Sequence, residues 1–345
     1  IAISLGGTKI AIAAVDAGGQ RIGSTTVIWQ DKYGVNATAE ALVKGMLELI
    51  EEVLEKNNIE RGTVGKIGIA FAGPIDIEKG IVGIPFKAPN LPFDKYPLKK
   101  IMEERLKATY TRKIEVEILH DGAAAVLGEV SPRGTLAGER DVIAVIIGTG
   151  IGAGIIKDGY LYFGTEKVGR LLGEIGHHLV RGIDGKYRYA GLGTKGTHPK
   201  LKEGELDFED CLSGPNLALR FAQAIGDEQL IKLVQQKDTR AIESILKQVT
   251  DKALAGDELS TKLISQAGEE FGRALAVFIY TYKNEDFVKH IVLVGGVAEN
   301  LGRGLGDDLF IKAIQDSVCR ELISLGMKER EAREFALGIV RSWIS

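Results

Sequence analysis

Apolar and polar residues alternate along residues 1–15, on both sides of the turn Gly6-Gly7-Thr8-Lys9. Alternation with a period of two is typical of β-strands, so this segment is predicted to form two paired strands joined by a glycine-rich loop. Another strand is expected at residues 21–29. Over residues 38–56 the apolar positions instead recur every three or four residues, which indicates an amphipathic helix.

The opening arrangement returns in the middle of the chain. A strand at 141–147, the turn Gly148-Thr149-Gly150 and a strand at 154–157 repeat the first hairpin. Two glycine-turn hairpins, one in each half, predict a duplicated nucleotide-binding fold. The remaining patterns predict strands at 66–71, 114–119 and 290–294, and helices at 98–107, 123–129, 216–225, 228–236, 240–255, 258–282 and 329–343.

The chain is long enough for two domains. It has 345 residues, of which 45% are hydrophobic, and ordinary domains hold roughly 100–200 residues. We expect a small N-terminal α/β domain made of residues 1–119 together with about 329–345, and a large α/β domain made of residues 120–328. The last amphipathic helix, residues 329–343, is expected to pack back on the first half.

Composition and charge narrow the classes of partner. The formal net charge is −3 and the pI is about 6.1, so the chain has no general attraction to nucleic acid or to an anionic membrane. Two cysteines, Cys211 and Cys319, cannot build a disulfide framework and suit a reducing cytoplasm. No apolar run reaches the roughly 18–20 residues that span a bilayer. We therefore expect a cytoplasmic protein with neither nucleic acid nor a membrane as partner.

Glycine-rich turns between strands suit phosphate binding. Because they lack side chains, their backbone N–H groups can approach phosphate oxygens closely and form an anion nest. The turns at residues 6–9 and 148–152 fit that use; Thr8 and Thr149 add hydroxyl donors and Lys9 adds a charge. Glycine turns are common in any α/β protein, so each turn alone fits a structural role equally well.

Eight short motifs follow one another along the chain. They are Gly6-Gly7-Thr8-Lys9, Ala72-Gly73-Pro74-Ile75-Asp76, Ala88-Pro89-Asn90-Leu91-Pro92, His120-Asp121-Gly122-Ala123-Ala124-Ala125, Gly148-Thr149-Gly150-Ile151-Gly152, Glu174-Ile175-Gly176-His177, Glu209-Asp210-Cys211-Leu212-Ser213-Gly214 and Gly295-Gly296. Each is a weak signal alone. In this order they resemble the ROK (repressor, ORF, kinase) family of sugar kinases and sugar-responsive repressors, within the actin/hexokinase-type ATPase superfamily.

The resemblance implies a fold and a set of ligands. The expected architecture is a two-domain α/β actin-like ATPase (ribonuclease H-like) fold, with a duplicated sheet core and a cleft between the domains where ATP, Mg²⁺ and a sugar meet. The resemblance also implies a homodimer, which is common in the family. The residues implied for the nucleotide are Gly6, Gly7, Thr8, Lys9, Gly148, Thr149, Gly150, Gly152, Gly295 and Gly296. Those implied for the sugar are Gly73, Asn90, His120, Asp121, Glu174, His177 and Glu209.

Asp121 is the candidate catalytic residue. It follows the strand predicted at 114–119 and precedes a helix, so its carboxylate should emerge at a strand's carboxyl end, where ligands collect in open α/β sheets. From the residues alone an ordinary helix N-cap is an equal alternative, because aspartate is favoured there. The resemblance implies instead that Asp121 is the general base that accepts the proton of the sugar hydroxyl.

Two residues and one region depart from the family's pattern. Ser4 stands where an aspartate normally supports hydrated Mg²⁺, and a hydroxyl is a weaker partner for a hard cation. His120 replaces an asparagine, and imidazole is bulkier and titratable. The region 185–209 contains no cysteine, where many members have a zinc-binding cysteine cluster, so we expect no structural zinc and no metal held by direct protein ligands.

The sequence therefore favours an ATP- and Mg²⁺-dependent hexose kinase acting on glucose or a close relative such as N-acetylmannosamine, mannose or fructose. Two alternatives stay open. One is a catalytically impaired sugar-binding sensor or regulator, which Ser4 and His120 favour. The other is a kinase for a non-hexose polyol or modified sugar, because the insertion at residues 182–204 could reshape the pocket.

Overall fold

The structure is a computed structural model whose described residues are 1–7, 9–34, 36–84, 91–110, 112–164, 173–177, 180–181, 187–188, 208–236, 239–305 and 308–343. The chain divides into two compact units, residues 1–124 and 125–345. No helix in the described part is long and apolar enough to cross a membrane.

The first unit contains a five-stranded sheet. Its strands are β1 (Ala2–Leu5), β2 (Lys9–Val15), β3 (Arg21–Ile28), β4 (Lys66–Phe71) and β7 (Glu115–His120), and a small hairpin is formed by β5 (Ile75–Asp76) and β6 (Ile81–Val82). The order across the sheet is β3-β2-β1-β4-β7. Strands β1 to β3 are antiparallel neighbours, whereas β4 and β7 run parallel to β1. The opening hairpin that alternation predicts is confirmed.

Helices cover one face of this first sheet. They are α1 (Trp29–Tyr33), α2 (Ala39–Lys56), a 3₁₀ turn (Arg61–Thr63) and α3 (Leu98–Thr109). Helix α2 begins where Thr38 Oγ1 accepts a hydrogen bond from Ala41 N, as N-cap threonines do. Its apolar stripe is buried against the inward-facing strand residues. The helix predicted at 38–56 is therefore confirmed, and burial of its apolar stripe is its main source of stability.

The second unit repeats the same sheet. Its strands are β8 (Val142–Ile147), β9 (Ile151–Lys157), β10 (Tyr160–Leu161), β13 (Ile291–Val294) and β14 (Ile339–Arg341); a separate ribbon pairs β11 (Val180–Arg181) with β12 (Tyr187–Arg188). The order is β10-β9-β8-β13-β14, again with three antiparallel strands followed by two parallel ones. Identical order and strand directions in both sheets confirm the expected duplicated core.

The helices of the second unit surround one large apolar core. They are α5 (Phe208–Leu212), α6 (Gly214–Ile225), α7 (Glu228–Gln235), α8 (Thr239–Leu254), α9 (Glu258–Thr281), α10 (Gly296–Asn300), α11 (Leu309–Ser324) and α12 (Glu329–Leu337), with 3₁₀ turns at Ile175–His177 and Asp286–Lys289. Helices α9 and α11 pack closely, since a Cβ added at Gly272 would lie 2.5 Å from Ile314 O. No prediction covered α11.

The end of the chain differs from the expected helix at 329–343. Helix α12 stops at Leu337, and β14 follows as the fifth strand of the second sheet, parallel to β13. Gly338 bridges the two elements and its carbonyl accepts a hydrogen bond from Ile291 N. The segment 329–343 was expected with the first half, but it lies in the second unit because β14 completes that sheet.

Helix α4 (Asp121–Val130) spans the division between the units. Its later residues belong to the second unit, where Val126 packs against apolar residues of β8, β9 and β13. The buried carboxylate of Glu129 accepts a hydrogen bond of 2.6 Å from Ser342 Oγ. The division thus falls five residues beyond the boundary expected after residue 119, inside a continuous helix.

Candidate functional site

The carboxyl ends of three parallel strands in the first sheet lie side by side. In the strand register Leu5 pairs with Phe71, and Phe71 pairs with His120. The chain therefore leaves β1, β4 and β7 at one edge of the sheet. Three predicted site segments follow these strand ends: the 6–9 loop, the turn containing Gly73, and Asp121. Such an edge is where ligands bind in open α/β sheets.

The first glycine loop closes between the paired residues Leu5 and Ile10. Gly6 N donates to Lys9 O at 3.0 Å, which makes the loop a tight turn. The indole Nε1 of Trp29 donates to Gly7 O at 3.0 Å, and Trp29 is fully buried. Thr8 lies outside the described residues. Trp29 was predicted only as the end of a strand, yet it anchors the loop; its large aromatic side chain directly after β3 was the available signal.

Ser4 lies on the exposed face of β1, in register with Ala11 and Ala70. Its hydroxyl therefore reaches the side of the sheet opposite to the α2 and α3 core. Both of these register neighbours are small alanines. The side chain is neutral and leaves this place without the negative charge that a carboxylate would supply.

Two polar side chains meet where β7 ends and α4 begins. His120 is the last residue of the strand and Asp121 is the first of the helix. His120 Nδ1 lies 3.1 Å from Asp121 Oδ1, and the two side chains are 33% and 35% exposed. Gly122 N donates to Asp121 Oδ1 at 2.7 Å. The carboxylate is thus fixed by local contacts while part of it stays open to solvent.

The protonation of Asp121 is shifted by this environment. Partial burial raises the pKa of the Asp121 carboxyl above its ordinary value, and this outweighs the lowering effects of His120 and of the Gly122 N–H. A raised pKa brings a carboxylate closer to the operating pH, where it accepts a proton more effectively. A helix N-cap alone would not need this property.

The turn after β4 is held at both ends. Ala72 N donates to Leu5 O at 3.2 Å, and Gly83 N donates to Pro74 O at 2.9 Å. Gly73 between them is buried. The structure therefore places Gly73 next to the first loop along the same sheet edge. Asn90, the other weaker sugar candidate of this unit, lies outside the described residues.

The second glycine loop lies at the corresponding edge of the second sheet. It comprises residues 148–150 between the paired Ile147 and Ile151. Gly148 N donates to Gly150 O at 2.9 Å, and Gly148 O accepts from Gly214 N at 2.7 Å. The loop is consequently fixed against the start of α6. Thr149, at its tip, is exposed.

The turn at Gly295-Gly296 borders the same loop. Gly295 has a φ of +93°, and a Cβ added there would lie 2.8 Å from Ile147 O. Only glycine suits both conditions. A Cβ at Gly296 would meet nothing within 4 Å, so packing does not require the second glycine, which opens α10. Backbone conformation and packing therefore require glycine at position 295, whereas packing does not require it at position 296.

Glu209 is buried beside this loop, at 4% exposure. Its Oε2 accepts a hydrogen bond from Ile151 N at 2.7 Å, and a Cβ added at Gly150 would lie 2.4 Å from the same oxygen. Glu209 thus holds the backbone of the second loop, a contact that sequence reasoning did not anticipate. A carboxylate has capacity for further hydrogen bonds.

Glu174 lies in a segment that runs beside β9. Gly173 O accepts a hydrogen bond from Ala153 N at 2.7 Å, and a Cβ at Gly176 would lie 2.3 Å from Ile151 O. Glu174 is partly exposed between these contacts. His177 ends the 3₁₀ turn that follows, and its side chain is outside the described part. The structure therefore brings Glu174, Glu209 and the second loop to neighbouring positions on β9.

Metal ligands do not cluster in the described part of the chain, where no group of three or more His, Cys, Asp or Glu side chains is arranged to hold an ion. Most of the region 185–209, on which the expectation of no structural zinc rests, lies outside the described residues. That expectation stays a prediction.

Comparison with known proteins connects these features to one family. The family model described as ROK family matches residues 1–318. A glucokinase from Thermotoga maritima is 25% identical over 315 residues, which cover 91% of this chain and 86% of that protein. An N-acetylmannosamine kinase from Vibrio cholerae serotype O1 is 30% identical over 231 residues, covering 65% of this chain and 70% of that protein.

Solved structures share the fold. A ROK family glucokinase from Streptomyces griseus, crystallised with glucose and AMPPNP, has a TM-score of 0.65 at 23% identity and covers 97% of this chain and 96% of its own. A ROK family transcriptional regulator, described as a homolog of the E. coli MLC protein, has a TM-score of 0.65 at 19% identity, covering 99% of this chain and 72% of its own. Both likenesses confirm the actin-like architecture expected from the motifs.

Proposed function

Because this chain belongs to the ROK family, whose named relatives include glucokinase and N-acetylmannosamine kinase, we propose that it is an ATP-dependent kinase of glucose or a close hexose relative. The observation that carries the proposal is the position of Asp121. Its carboxylate stands at the same carboxyl edge of the first sheet as the first glycine loop, two strands away from it, and has a raised pKa. Kinases need such a base to accept the proton of the attacking hydroxyl.

The glycine loops are proposed to bind the phosphates of ATP. At Gly148 and Gly152 an added Cβ would meet nothing within 4 Å, so protein packing does not explain these glycines. A phosphate-binding role does explain them, because backbone without side chains lets a phosphate approach closely. The equivalent loop of the first unit, residues 6–9, has the same place in its sheet. AMPPNP in the crystallised glucokinase supports ATP as the phosphoryl donor.

Sugar hydroxyls are proposed to be read by carboxylates and imidazoles. Glu174 and Glu209 lie beside β9, and each can accept hydrogen bonds from hydroxyl groups. The family resemblance implies that His177 is a third sugar ligand together with these two carboxylates. Glu209 would then have two functions, since it also fixes the second loop through Ile151 N. That link would couple sugar binding to the shape of a phosphate loop.

Magnesium fits this donor set as an ion that arrives with the nucleotide. Mg²⁺ keeps several waters and is commonly bound through phosphates and one or two carboxylates. Ser4 offers only an exposed hydroxyl at the place where a carboxylate would stand. When bound, the ion neutralises charge on the transferring phosphate. The protein's own part is to hold the phosphates with the loops and the sugar hydroxyl with Asp121.

A sugar-binding regulator is the second candidate, because the neutral Ser4 weakens metal support and because a ROK transcriptional regulator shares the fold. The acidic net charge of −3 argues against nucleic acid as a partner. We further propose a homodimer in the cytoplasm. Light scattering tests the dimer directly, with an expected mass of about twice the 37.2 kDa of one chain.

The two candidates differ in turnover. The protein is incubated with ATP, Mg²⁺ and a panel of sugars that includes glucose, N-acetylmannosamine, mannose, fructose and polyols, and ADP release is followed. We expect release with at least one hexose. A sugar that raises the melting temperature without ADP release from any panel member supports the regulator. Ser4→Asp is the matched variant: a large gain in turnover would assign impaired metal support to Ser4, whereas equal turnover would locate that support elsewhere.

A further inference from the structure

Helix α10 continues directly from the Gly295-Gly296 turn, which is proposed to face the nucleotide. The helix is only five residues long, Gly296–Asn300. Helices shorter than about 12 residues are marginal in water when nothing else holds them. Contacts with other elements must therefore fix the position of α10, and with it the position of the glycine turn.

Two side chains from other elements hold the carbonyl groups at the end of α10. Thr250 Oγ1, on α8, donates a hydrogen bond to Asn300 O at 3.0 Å. Arg341 Nη2, at the end of β14, donates to Leu301 O at 2.8 Å. The last carbonyl groups of a helix have no partner within the helix, so the side chains that reach them determine where the helix end lies.

The Thr250 hydroxyl uses both its donor and its acceptor capacity. Besides donating to Asn300 O, Oγ1 accepts a hydrogen bond from Gly302 N at 3.1 Å, and Thr250 is buried at 5% exposure. Gly302 has a φ of +72°, a conformation that favours glycine. One buried hydroxyl thus joins the residue that ends α10 to the residue at which the chain turns away.

Arg341 is itself held by Asp308, the N-cap residue of α11. Arg341 Nε and Nη2 each lie 2.5 Å from one oxygen of the Asp308 carboxylate, which is the bidentate geometry of strong arginine–carboxylate pairs. The two side chains are 10% and 29% exposed. Arg341 pairs with Leu293 in the strand register, so it stands beside the end of β13, from which the glycine turn starts.

The two ends of α10 are also tied to each other. Asn300 Nδ2 donates a hydrogen bond to Gly296 O at 2.8 Å. Asn300 therefore contacts Thr250 through its own carbonyl group and the glycine turn through its side chain. A displacement at the end of α10 is transmitted by this short link to the backbone of Gly296.

We propose that Thr250 and Arg341 are positioning residues for the adenosine end of ATP. They hold the end of α10 so that the backbone of Gly295-Gly296 stays where the nucleoside approaches it, and they act through that backbone without touching the nucleotide. This inference rests on the proposed kinase function, in which the two glycines face ATP. Neither residue belongs to the motifs that carry the family resemblance.

Thr250→Val and Thr250→Ser test the hydroxyl. Valine keeps nearly the same shape without the hydroxyl, whereas serine keeps it. We expect Thr250→Val to raise the Kd of ADP about 10-fold in titration calorimetry without sugar, because two backbone groups lose their partner. Thr250→Ser should stay within about 2-fold. In turnover, Thr250→Val should raise the ATP KM by a similar factor, with kcat and the sugar KM within about 2-fold.

Arg341→Lys tests the second contact and still tests the proposal if Thr250→Val does not fold. Lysine keeps the charge beside Asp308 but lacks the planar fork that also reaches Leu301 O, so the Kd of ADP should rise about 5-fold. Pyrophosphate has no nucleoside, and its inhibition constant against ATP should stay within about 2-fold in both variants. A rise equal to that for ADP would overturn the assignment to the adenosine end.

Ser317→Ala is the matched control. Ser317, on α11, is 1% exposed and its Oγ donates to Glu269 O at 2.7 Å, so the variant should lower Tm while the Kd of ADP stays within about 2-fold. If Thr250→Val and Arg341→Lys behave in the same way in a protein that phosphorylates a sugar, this role alone is wrong. If the unsubstituted protein binds no ADP, the proposed kinase function fails and this role fails with it.

Discussion

Asp121 illustrates how a residue's surroundings decide its chemistry. Aspartate at the first position of a helix is commonplace, and its sequence position alone left a capping role open. The structure adds partial burial, which raises its pKa, and contacts from His120 and Gly122 on one oxygen. These features are more useful to a base than to a cap. They could not be predicted from sequence, because burial depends on distant segments.

The raised pKa of Asp121 predicts a pH-dependent cost to stability. When folding raises the pKa of an acid, the folded state favours the protonated form, so stability grows as pH falls through that pKa and is lost as pH rises. At pH 7 the ionised carboxylate therefore destabilises the fold. Asp121→Asn should raise Tm by about 2–4 °C at pH 7, with a smaller gain at pH 4. Calorimetry at both pH values measures this, and a lower Tm at pH 7 would contradict it.

Trp29 is expected to control nucleotide affinity. Its indole N–H holds Gly7 O in the first loop, and Trp29→Phe keeps most of the packing but removes the donor. Leaving that acceptor without its bond costs about 1 kcal/mol, so the ATP KM should rise about 5-fold with little change in the sugar KM. The exposed Trp343 is the control, since Trp343→Phe should change neither.

Fluorescence gives a second test of the same anchor. The chain has two tryptophans, so in Trp343→Phe the emission excited selectively at tryptophan over tyrosine comes from Trp29 alone. ADP binding should then shift the emission, because the loop contacts the indole ring's N–H. If ADP leaves the emission spectrum unchanged and Trp29→Phe leaves the ATP KM unchanged, Trp29 has no role in nucleotide binding.

At the scale of elements, periodicity predicted most long segments, with helix α11 as the exception, and predicted short segments poorly. The helix α2 and the opening hairpin have strong, regular patterns and match the structure. The segment after Leu337 was predicted wrongly, because its strand, Ile339–Arg341, has only three residues and is too short to show a periodic pattern. Its strand identity comes from pairing with β13. Only the β-branched residues Ile339 and Val340 gave a local signal. Helix α11 was missed although its apolar spacing was present.

The paired glycines after β13 predict unequal costs of substitution. Gly295→Ala combines a left-handed φ of +93° with a contact of 2.8 Å to Ile147 O, so it should lower the free energy of unfolding by about 2–4 kcal/mol. Gly296→Ala meets nothing within 4 Å and opens a helix, so it should be neutral or slightly stabilising. Urea denaturation measures both. Equal losses would show that the turn is not held as described.

At the scale of the whole molecule, the order of the motifs along the chain predicted the fold better than the pattern of any single segment did. Two glycine-turn hairpins predicted the duplication, and both sheets have the same order and strand directions. The fifth strands were harder to assign. Strand β7 completes the first sheet and β14 the second, but nothing local tells a strand which sheet it joins. For the same reason residues 329–345 were expected in the first domain.

Substrate and activity belong to the whole molecule as well. Ser4 and His120 are proposed site positions whose chemistry differs from what the family resemblance implies there, whereas the sheet order agrees with the expected duplicated core. A family resemblance predicts that architecture because the sheets and loops tolerate such changes. It does not predict the preferred sugar, which depends on hydrogen-bond donors and acceptors placed to within fractions of an ångström.

The central claim is that this chain transfers phosphate from ATP to a sugar with Asp121 as the base. The most direct measurement is ³¹P NMR of the reaction products, with the unsubstituted protein and Asp121→Asn compared at equal folded concentration. We predict a sugar phosphate ester with the unsubstituted protein and a rate about 100- to 10,000-fold lower with Asp121→Asn, although the sugar still raises its Tm. Sugar phosphate formed at equal rates by both proteins would contradict the account.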